Sequence, residues 1–332
     1  MATKKGYLQF DVEADVRIGD AFSIPGYDKS VVRTDHDGDP AGIDMDQCGL
    51  PIIPYADLVV LKLLGSGRYG IVYHGKWMGT DVAIKIFDKS RVTKDYLDRL
   101  TKTFWREAQI LSKLCHPLVV AFYGVVLDGP EGALAYVTEY MLDGSLSALL
   151  EKGELDRRTK LMLLLNVASG MEYLHSQGVV HFDLKGPNLL VNLGDPQRPV
   201  CKVADFGLSK IKQNALVSGR KRGPLRQMAP ELLNGRRNKV SDKVDVYSFG
   251  ITMWETETEE VPYGDLSLDA IKSGVVYFNL RPAIPEYCDP ELRKLMEECW
   301  SPDPAARPSF TQIRERLQAM LMAPAARDTK LS

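Results

Sequence analysis

The sequence predicts an α+β fold in two parts, a small β-rich part followed by a larger helical one. Three observations carry this prediction. Between residues 58 and 87 the runs LVVLKLL, GIVYHGKW and TDVAIKIF are short, β-branched and separated by turn residues, which reads as an antiparallel meander. A long helical pattern follows, and after it AFYGVVL and LAYVTEY supply two further strands. Beyond Met141 the chain turns mainly helical, in TKLMLLLNVASGMEYLHSQ, KVDVYSFGITMWETET, PELRKLMEECW and TQIRERLQAMLM. Strands first and helices afterwards indicate an α+β arrangement.

The bulk numbers restrict the partners. Of 332 residues, 45% are hydrophobic and 26% charged, an ordinary globular composition with ample core for two lobes. A formal net charge of −2 gives no global field to recruit nucleic acid or an anionic membrane. The longest greasy stretch, Leu161–Val167, is too short to span a bilayer and reads as a buried helix, so no membrane insertion is expected. Cys48, Cys115, Cys201, Cys288 and Cys299 are scattered, odd in number and without CxxC spacing. A disulfide framework or zinc site is therefore not expected; a reducing compartment is, cytoplasmic or nuclear.

Residues 1–50 hold ten acids against five bases with little sustained periodicity, and residues 1–57 read as an acidic, poorly ordered leader. Within them, DHDGDPAGIDMD (Asp35–Asp46) places acids at positions 1, 3, 5 and 12, as a calcium loop does. Pro40 stands where such a loop needs its turning glycine, and the stretch reads as an acidic linker.

Chemistry enters at GSGRYG, Gly65–Gly70. A G-x-G-x-x-G that binds a dinucleotide opens a helix. Here IVYHGKW follows, a strand pattern, so the glycines sit at a hairpin tip where backbone N–H groups can approach phosphates. Leu64 and Val72 flank the tip and are placed to cover a base. Lys85 is the cation of VAIK on the next strand. In the helical stretch Lys94–Leu114, the positions Leu97, Leu100, Phe104, Glu107, Leu111 and Leu114 recur at three- and four-residue steps. Glu107 thus lies in the apolar stripe, where an unpaired carboxylate is costly, and Lys85 is the economical partner. Further on, HFDLKGPN (His181–Asn188) gathers an acid, a lysine and an amide. Asp183 would accept the proton of an attacking hydroxyl, Lys185 would neutralise charge on a transferring phosphoryl group, and Asn188 would ligate a metal. ADFG (Ala204–Gly207) supplies a second metal-binding acid, Asp205. Positioned phosphates, divalent metal, a base and a compensating cation are the parts of phosphoryl transfer.

In this order the motifs resemble a eukaryotic protein kinase domain over roughly residues 58–321, with MAPE, VDVYSFG and ARPSF further along. The resemblance implies the bilobal protein kinase fold: an N-lobe over about 58–138, a hinge at 139–141, a C-lobe over 142–321 and a tail at 322–332. It implies ATP and Mg2+ as cofactors. The nucleotide would be held by Leu64, Gly65, Ser66, Gly67, Arg68, Tyr69, Gly70, Ile71, Val72, Ala83 and Lys85, and by Thr138, Glu139, Met141 and Leu190. It also implies that Glu231 pairs with Arg307, that Asp245 anchors the catalytic-loop backbone, and that Phe122, Leu111, Phe206 and His181 form a spine. HGKWMGTDVAIK, FWREAQIL, HPLVVAFYGVV and NLGDPQRPVCKVADFGLS are similar to the plant Raf-like kinases of the tyrosine-kinase-like group, the MAP kinase kinase kinases. Lys185 within DLKGPN implies serine/threonine specificity. The implied partners are a protein substrate, itself a kinase, and an upstream activating kinase; the rival reading is a nucleotide-binding pseudokinase scaffold.

Two departures from the family pattern bear on control. Phe182 replaces the arginine that many kinases place before the catalytic aspartate to meet a phosphorylated activation loop. Pro224 stands where relatives typically carry a threonine that hydrogen-bonds the catalytic aspartate and lysine, and Gln227 where they often carry tryptophan. Proline supplies neither a hydroxyl nor an N–H. From Asp205 to Glu231 the only hydroxyl-bearing residues are Ser209 and Ser218, among six cations. Ser218, beside Arg220, Lys221 and Arg222, is the expected activating phosphosite, where a phosphate would draw charge-assisted hydrogen bonds.

Overall fold

The structure, a computed structural model, describes residues 49–67, 70–87, 94–153, 155–212, 217–218, 224–234 and 239–323. The calcium-like stretch Asp35–Asp46, Arg68 and Tyr69 of the glycine hairpin, and Arg220, Lys221 and Arg222 lie outside these residues. Of Ser218 the backbone is described, in a two-residue pairing with Lys239. The chain divides into two compact units: one up to Ser112 together with Phe122–Thr138, the other Lys113–Ala121 together with Glu139 onward.

The first unit is a five-stranded sheet with one long helix. Strands β1 (Leu58–Gly67), β2 (Gly70–Trp77), β3 (Thr80–Phe87), β4 (Phe122–Val126) and β5 (Leu134–Glu139) lie in the order β1-β2-β3-β5-β4, and α1 spans Lys94–Leu111. Alternation along β3 sets its two faces. Val82 and Ile84 are fully buried and pack with Ile53, Leu58, Val126, Ala135 and Val137, whereas Ala83 and Lys85 point the other way. Cross-strand register places Val72 opposite Lys85, so Val72, Ala83 and Lys85 share that second face.

Two boundaries differ from the sequence expectation. Residues 51–57, assigned to the leader, belong to the folded unit. Ile53 is 2% exposed, its N–H donates to Val125 O (2.8 Å), and Tyr55–Asp57 form a 3-10 turn leading into β1. One isoleucine with a place in the core outweighs the polarity around it. The helix expected to reach Leu114 ends at Leu111, shortly before Pro117, which cannot continue a helix and restricts the residue before it. The following residues Lys113–Ala121, placed in the N-lobe by the sequence, join the second unit. There Val203 N donates to Leu118 O and Val120 N to Val203 O, both at 3.0 Å, and Cys115 N donates to the Tyr173 hydroxyl.

The second unit is built on helices α2 (Leu146–Leu150), α3 (Arg157–Ser176), α4 (Pro230–Leu233), α5 (Lys243–Thr258), α6 (Leu268–Tyr277), α7 (Pro290–Cys299) and α8 (Phe310–Met322). Ser145, Asp156, Ser267, Asp289 and Ser309 cap α2, α3, α6, α7 and α8 with side-chain oxygens. Small ribbons β6 (Val179–Val180) with β9 (Lys210–Ile211), and β7 (Leu189–Asn192) with β8 (Val200–Val203), carry the polar loops between them. At the centre runs α5, buried at every residue from Val244 to Thr256. A helix apolar on all sides has no solvent face, and its few polar groups must find partners inside.

Glu255 is one of those groups. It is 8% exposed, and burial pushes its carboxyl up to about 7, against the opposing effects of the Gln227 amide at 3.1 Å and the charge of Arg226. The folded state therefore keeps a proton that the unfolded chain releases above its ordinary glutamate range. Stability from this group is complete below the unfolded value and is lost as pH rises through about 7. Glu255→Gln should remove this decline and stabilise the protein above neutrality by about 3 kcal/mol. Urea unfolding of both proteins between about pH 5 and about pH 8 checks it; parallel pH slopes would place the titration elsewhere.

Candidate active site

In the first unit the glycine hairpin is closed by the pairing of Gly67 with Gly70, and Ser66 pairs with Ile71 and Gly65 with Val72. The glycines thus stand at a hairpin tip followed by a strand. A Cβ at Gly65 or Gly67 would meet no described atom within 4 Å, so the backbone there is open to close approach. Gly70 is different: its Cβ would lie 2.5 Å from Ile86 O, so glycine is required by the neighbouring strand. Leu64 is 43% exposed, and Ile71, Val72 and Ala83 are half-buried on the same sheet.

Lys85 and Glu107 come together. Lys85 Nζ donates to Glu107 Oε1 at 3.0 Å and to Oε2 at 3.3 Å. Glu107 is fully buried, and its Oε1 also accepts from the Tyr136 hydroxyl at 2.6 Å. Tyr136 and Phe87 place their rings 5.4 and 5.6 Å from the Lys85 ammonium. Cation and anion are thus fixed by one hydroxyl and two ring faces. The sequence reading missed Tyr136. The available signal is its position on β5, two residues before Thr138 and so on the same face.

In the second unit the loop after β6 is organised by Asp245. Its Oδ2 accepts from His181 N (2.8 Å) and its Oδ1 from Phe182 N (2.9 Å), while His175 Nε2 lies 2.9 Å from Oδ2. Phe182, 4% exposed, adopts φ 66°. A left-handed aromatic residue is strained by about 1–3 kcal/mol, and paired carboxylate bonds on either side hold it. His181 Nδ1 accepts from Asp183 N at 3.2 Å, so Nε2 carries the proton it donates to Ala204 O at 3.0 Å. The His181 and Phe206 rings meet edge to face at 5.3 Å.

This framework aims the polar side chains. Asn188 Nδ2 donates to Asp183 O (2.8 Å) and to Asp183 Oδ2 (2.9 Å). Lys185 Nζ lies 3.1 Å from Asp183 Oδ1, the oxygen that Asn188 leaves open. Pro224 has no hydrogen to give it. Burial raises the Asp183 pKa, and the Asp205 carboxylate raises it further, while Lys185 and His181 oppose. Asp205, at φ 61°, stands in the same left-handed region as Phe182.

Residues 58–317 match the family model described as protein tyrosine and serine/threonine kinase. The chain belongs to this family. Serine/threonine-protein kinase CTR1 of Arabidopsis thaliana is 38% identical over 287 residues, covering 84% of this chain and 33% of that protein. Serine/threonine/tyrosine-protein kinase HT1 of the same plant is 37% identical over 261 residues, 78% of this chain and 65% of that protein. Serine/threonine-protein kinase STY17, also of that plant, is 36% identical over 271 residues, 81% of this chain and 45% of that protein. The chain therefore spans between a third and two thirds of the length of these relatives. The likeness to plant Raf-like kinases read from its motifs stands on these matches.

Further features of the kinase domain fall into place in the second unit. Glu231 and Arg307 form a bidentate pair at 2.7 and 3.0 Å, with the Arg307 side chain fully buried. Glu139, expected at the hinge, uses its side chain. Its carboxylate accepts from Ala121 N at 2.6 Å and from Lys202 Nζ at 2.8 and 2.7 Å, tying the hinge to β8. Sequence reasoning missed Lys202; its signal is a lysine between two buried residues, Cys201 and Val203. Leu190 pairs with Lys202 and bridges to Ser145; Thr138 and Met141 are 8% and 6% exposed.

Two outcomes follow from this geometry. Lys85→Met should reduce phosphotransfer by orders of magnitude while the thermal midpoint shows that the fold survives, because phosphate positioning and charge compensation vanish together. An undiminished rate removes Lys85 from the chemistry. Because a base must be ionised, kcat/KM should fall as pH drops through the raised Asp183 pKa, placing the acid limb above the ordinary aspartate range. Lys185→Met removes the opposing charge and should move that limb to still higher pH; an unmoved limb assigns it to another group.

Proposed function

We propose that this domain is a serine/threonine protein kinase that transfers the γ-phosphoryl group of ATP to a protein hydroxyl. The observation that carries the reading is the Asp183 carboxylate: it is buried, its Oδ2 is steered by the Asn188 amide, and its Oδ1 is left with the Lys185 ammonium 3.1 Å away. An oxygen so placed accepts the proton of an attacking hydroxyl. The hydroxyl oxygen bonds to the γ-phosphorus, the bond to the β-phosphate oxygen breaks, ADP leaves, and Lys185 offsets charge on the transferring group. In the first unit Lys85, fixed by Glu107, and the open backbone at Gly65 and Gly67 are suited to phosphate oxygens.

The residues also fit magnesium. Asp183 and Asp205 repel one another electrostatically, and a cation relieves two such carboxylates. Asn188 commits its amide nitrogen to Asp183, which leaves its carbonyl oxygen as a hard ligand. Among the described residues no three His, Cys, Asp or Glu side chains could hold an ion by themselves. Asn188 and Asp205 would thus hold magnesium together with nucleotide phosphates, and the ion would supply charge neutralisation at the β- and γ-oxygens.

Lys185 and the named relatives support serine or threonine as acceptor, and the Raf-like likeness supports another kinase as substrate, with an upstream kinase as activator. Cys115, Cys201, Cys288 and Cys299 are free thiols, which supports a reducing, cytoplasmic setting. No described helix is long and apolar enough to cross a membrane. Pro224 favours the second reading, a nucleotide-binding scaffold, because it cannot make the threonine contact of relatives.

Phosphate transfer from labelled ATP by the purified protein, with Asp183→Asn as control, separates the two. The kinase transfers label to a protein substrate and the variant does not; a scaffold binds nucleotide and transfers none. Asp205→Asn should abolish magnesium-dependent transfer and flatten the dependence of nucleotide affinity on magnesium. If the parent binds nucleotide equally well with and without magnesium, the metal assignment is overturned.

A further inference from the structure

Away from the catalytic loop, three buried hydrogen-bond donors gather in the second unit with more hydrogens than acceptors. They are the hydroxyls of Tyr247 on α5 and Tyr263 in the loop after it, and Nη2 of Arg281, which follows α6. Apart from the contact between the two hydroxyls, none has a hydrogen-bond partner among the described residues, although buried polar atoms as a rule find one. The two hydroxyls face one another, and Arg281 lies within electrostatic reach of both. Its guanidinium carbon is 5.0 Å from the Tyr247 ring centroid, and that of Arg307 is 5.2 Å away.

Among the described residues, ion pairs do not balance the charge around this point. Arg307 is neutralised by its bidentate partner Glu231. Arg281 donates only to the carbonyls of Trp300 and Leu280, and Arg226 to those of Pro262 and Gly264, which bracket Tyr263. Two guanidinium charges thus meet carbonyl dipoles in place of carboxylates. The nearest further acid on the Arg226 side is Glu255, whose own burial favours its protonated form. Burial likewise keeps both phenols protonated, so they stand as donors. Were one phenol to accept from the other, one O–H and the Nη2 hydrogens would still lack an acceptor. A water has two hydrogens to place and would meet mostly donors; an anion has only acceptor capacity and carries the missing charge.

We propose that Tyr247, Tyr263 and Arg281 form an internal binding site for a small inorganic anion of halide size. The ion accepts from the two phenols and from Nη2 and offsets the charge of Arg281 and Arg226. It thereby braces the Gln227–Glu231 segment against α5 and the Tyr263 loop. The site does not depend on phosphoryl transfer, and its test is independent of activity.

Bromide is the probe. Crystals of the full chain grown in sodium bromide should show an anomalous peak within hydrogen-bond reach of the two hydroxyls and Nη2. A water there, or no anomalous scatterer, overturns the proposal. In solution, the Tm in potassium chloride should exceed that in potassium gluconate at equal ionic strength by about 3 °C, since an ion bound only by the folded state stabilises it. The double variant Tyr247→Phe with Tyr263→Phe keeps the ring volumes and removes both O–H donors, and its Tm should be the same in the two salts. A chloride effect as large in the variant as in the parent also overturns the proposal. Should the variant fail to fold, the bromide crystal of the parent decides.

Discussion

The second unit depends on one buried carboxylate. Asp245 sits in the first turn of a helix buried along nearly its whole length, and its side chain is 1% exposed. A carboxylate in that place is costly unless its lone pairs are filled, and it fills them with two consecutive backbone N–H groups and the His175 ring. The consequence runs outward bond by bond. Fixing His181 and Phe182 sets the His181 ring; the ring receives Asp183 N and donates to Ala204 O; Ala204 N in turn donates to Asn188 O. Asn188 and Asp183 are thus joined through main chain to a helix buried along most of its length. A site on loops gains the rigidity of a core element by this route.

Legibility in the sequence followed how local the cause was. Alternation along TDVAIKIF separates Val82 and Ile84 from Ala83 and Lys85 without reference to anything else, and the structure divides the faces in that way. Glu107 within an apolar helical stripe demanded a cation, and Lys85 supplies it, because a buried charge leaves few solutions. Boundaries were less legible. Ile53 lies in a short apolar run, LPIIPY, at the end of an acidic leader, and only the sheet edge that accepts it, through Val125, shows that it belongs to the core. Lys113 and Leu114 read as the end of a helix and Ala121 as the start of a strand, yet the backbone partner of Leu118 and Val120 between them is Val203, far along the chain.

The partners that escaped sequence reading share a property: each acts through a side chain whose target is distant and whose own local pattern is unremarkable. Tyr136 looks like one more strand aromatic until its hydroxyl reaches Glu107. Lys202 looks like the outward residue of a short strand, and Glu139 like a hinge residue that offers only backbone. Together they form an ion pair, each about five-sixths buried, that ties the hinge to the strand leading into Asp205. Gln227 is read as a departure from tryptophan, and its compensation becomes visible only when its side-chain amide donates to Glu255, while its main-chain carbonyl accepts from Ser248 Oγ. A polar substitution in a buried place is tolerable when its donor finds an acceptor, and here the amide nitrogen has one.

Phe182 shows what such wiring does for control. An arginine at this point would place a charge in the loop that only an outside anion could balance. Phe182 instead is buried, held at φ 66° by the carboxylate that also holds His181, and Ser209 Oγ donates to His181 O from the segment beyond Asp205. Ser209 is fully buried in that role, so its hydroxyl serves the loop and is closed to modification. Every group that sets the loop's geometry therefore comes from within the unit, and none is a charge awaiting a phosphate at position 182. The strain stored at Phe182 and at Asp205 is then held by constitutive bonds. Residue 182 thus offers no charge through which an added phosphate could act.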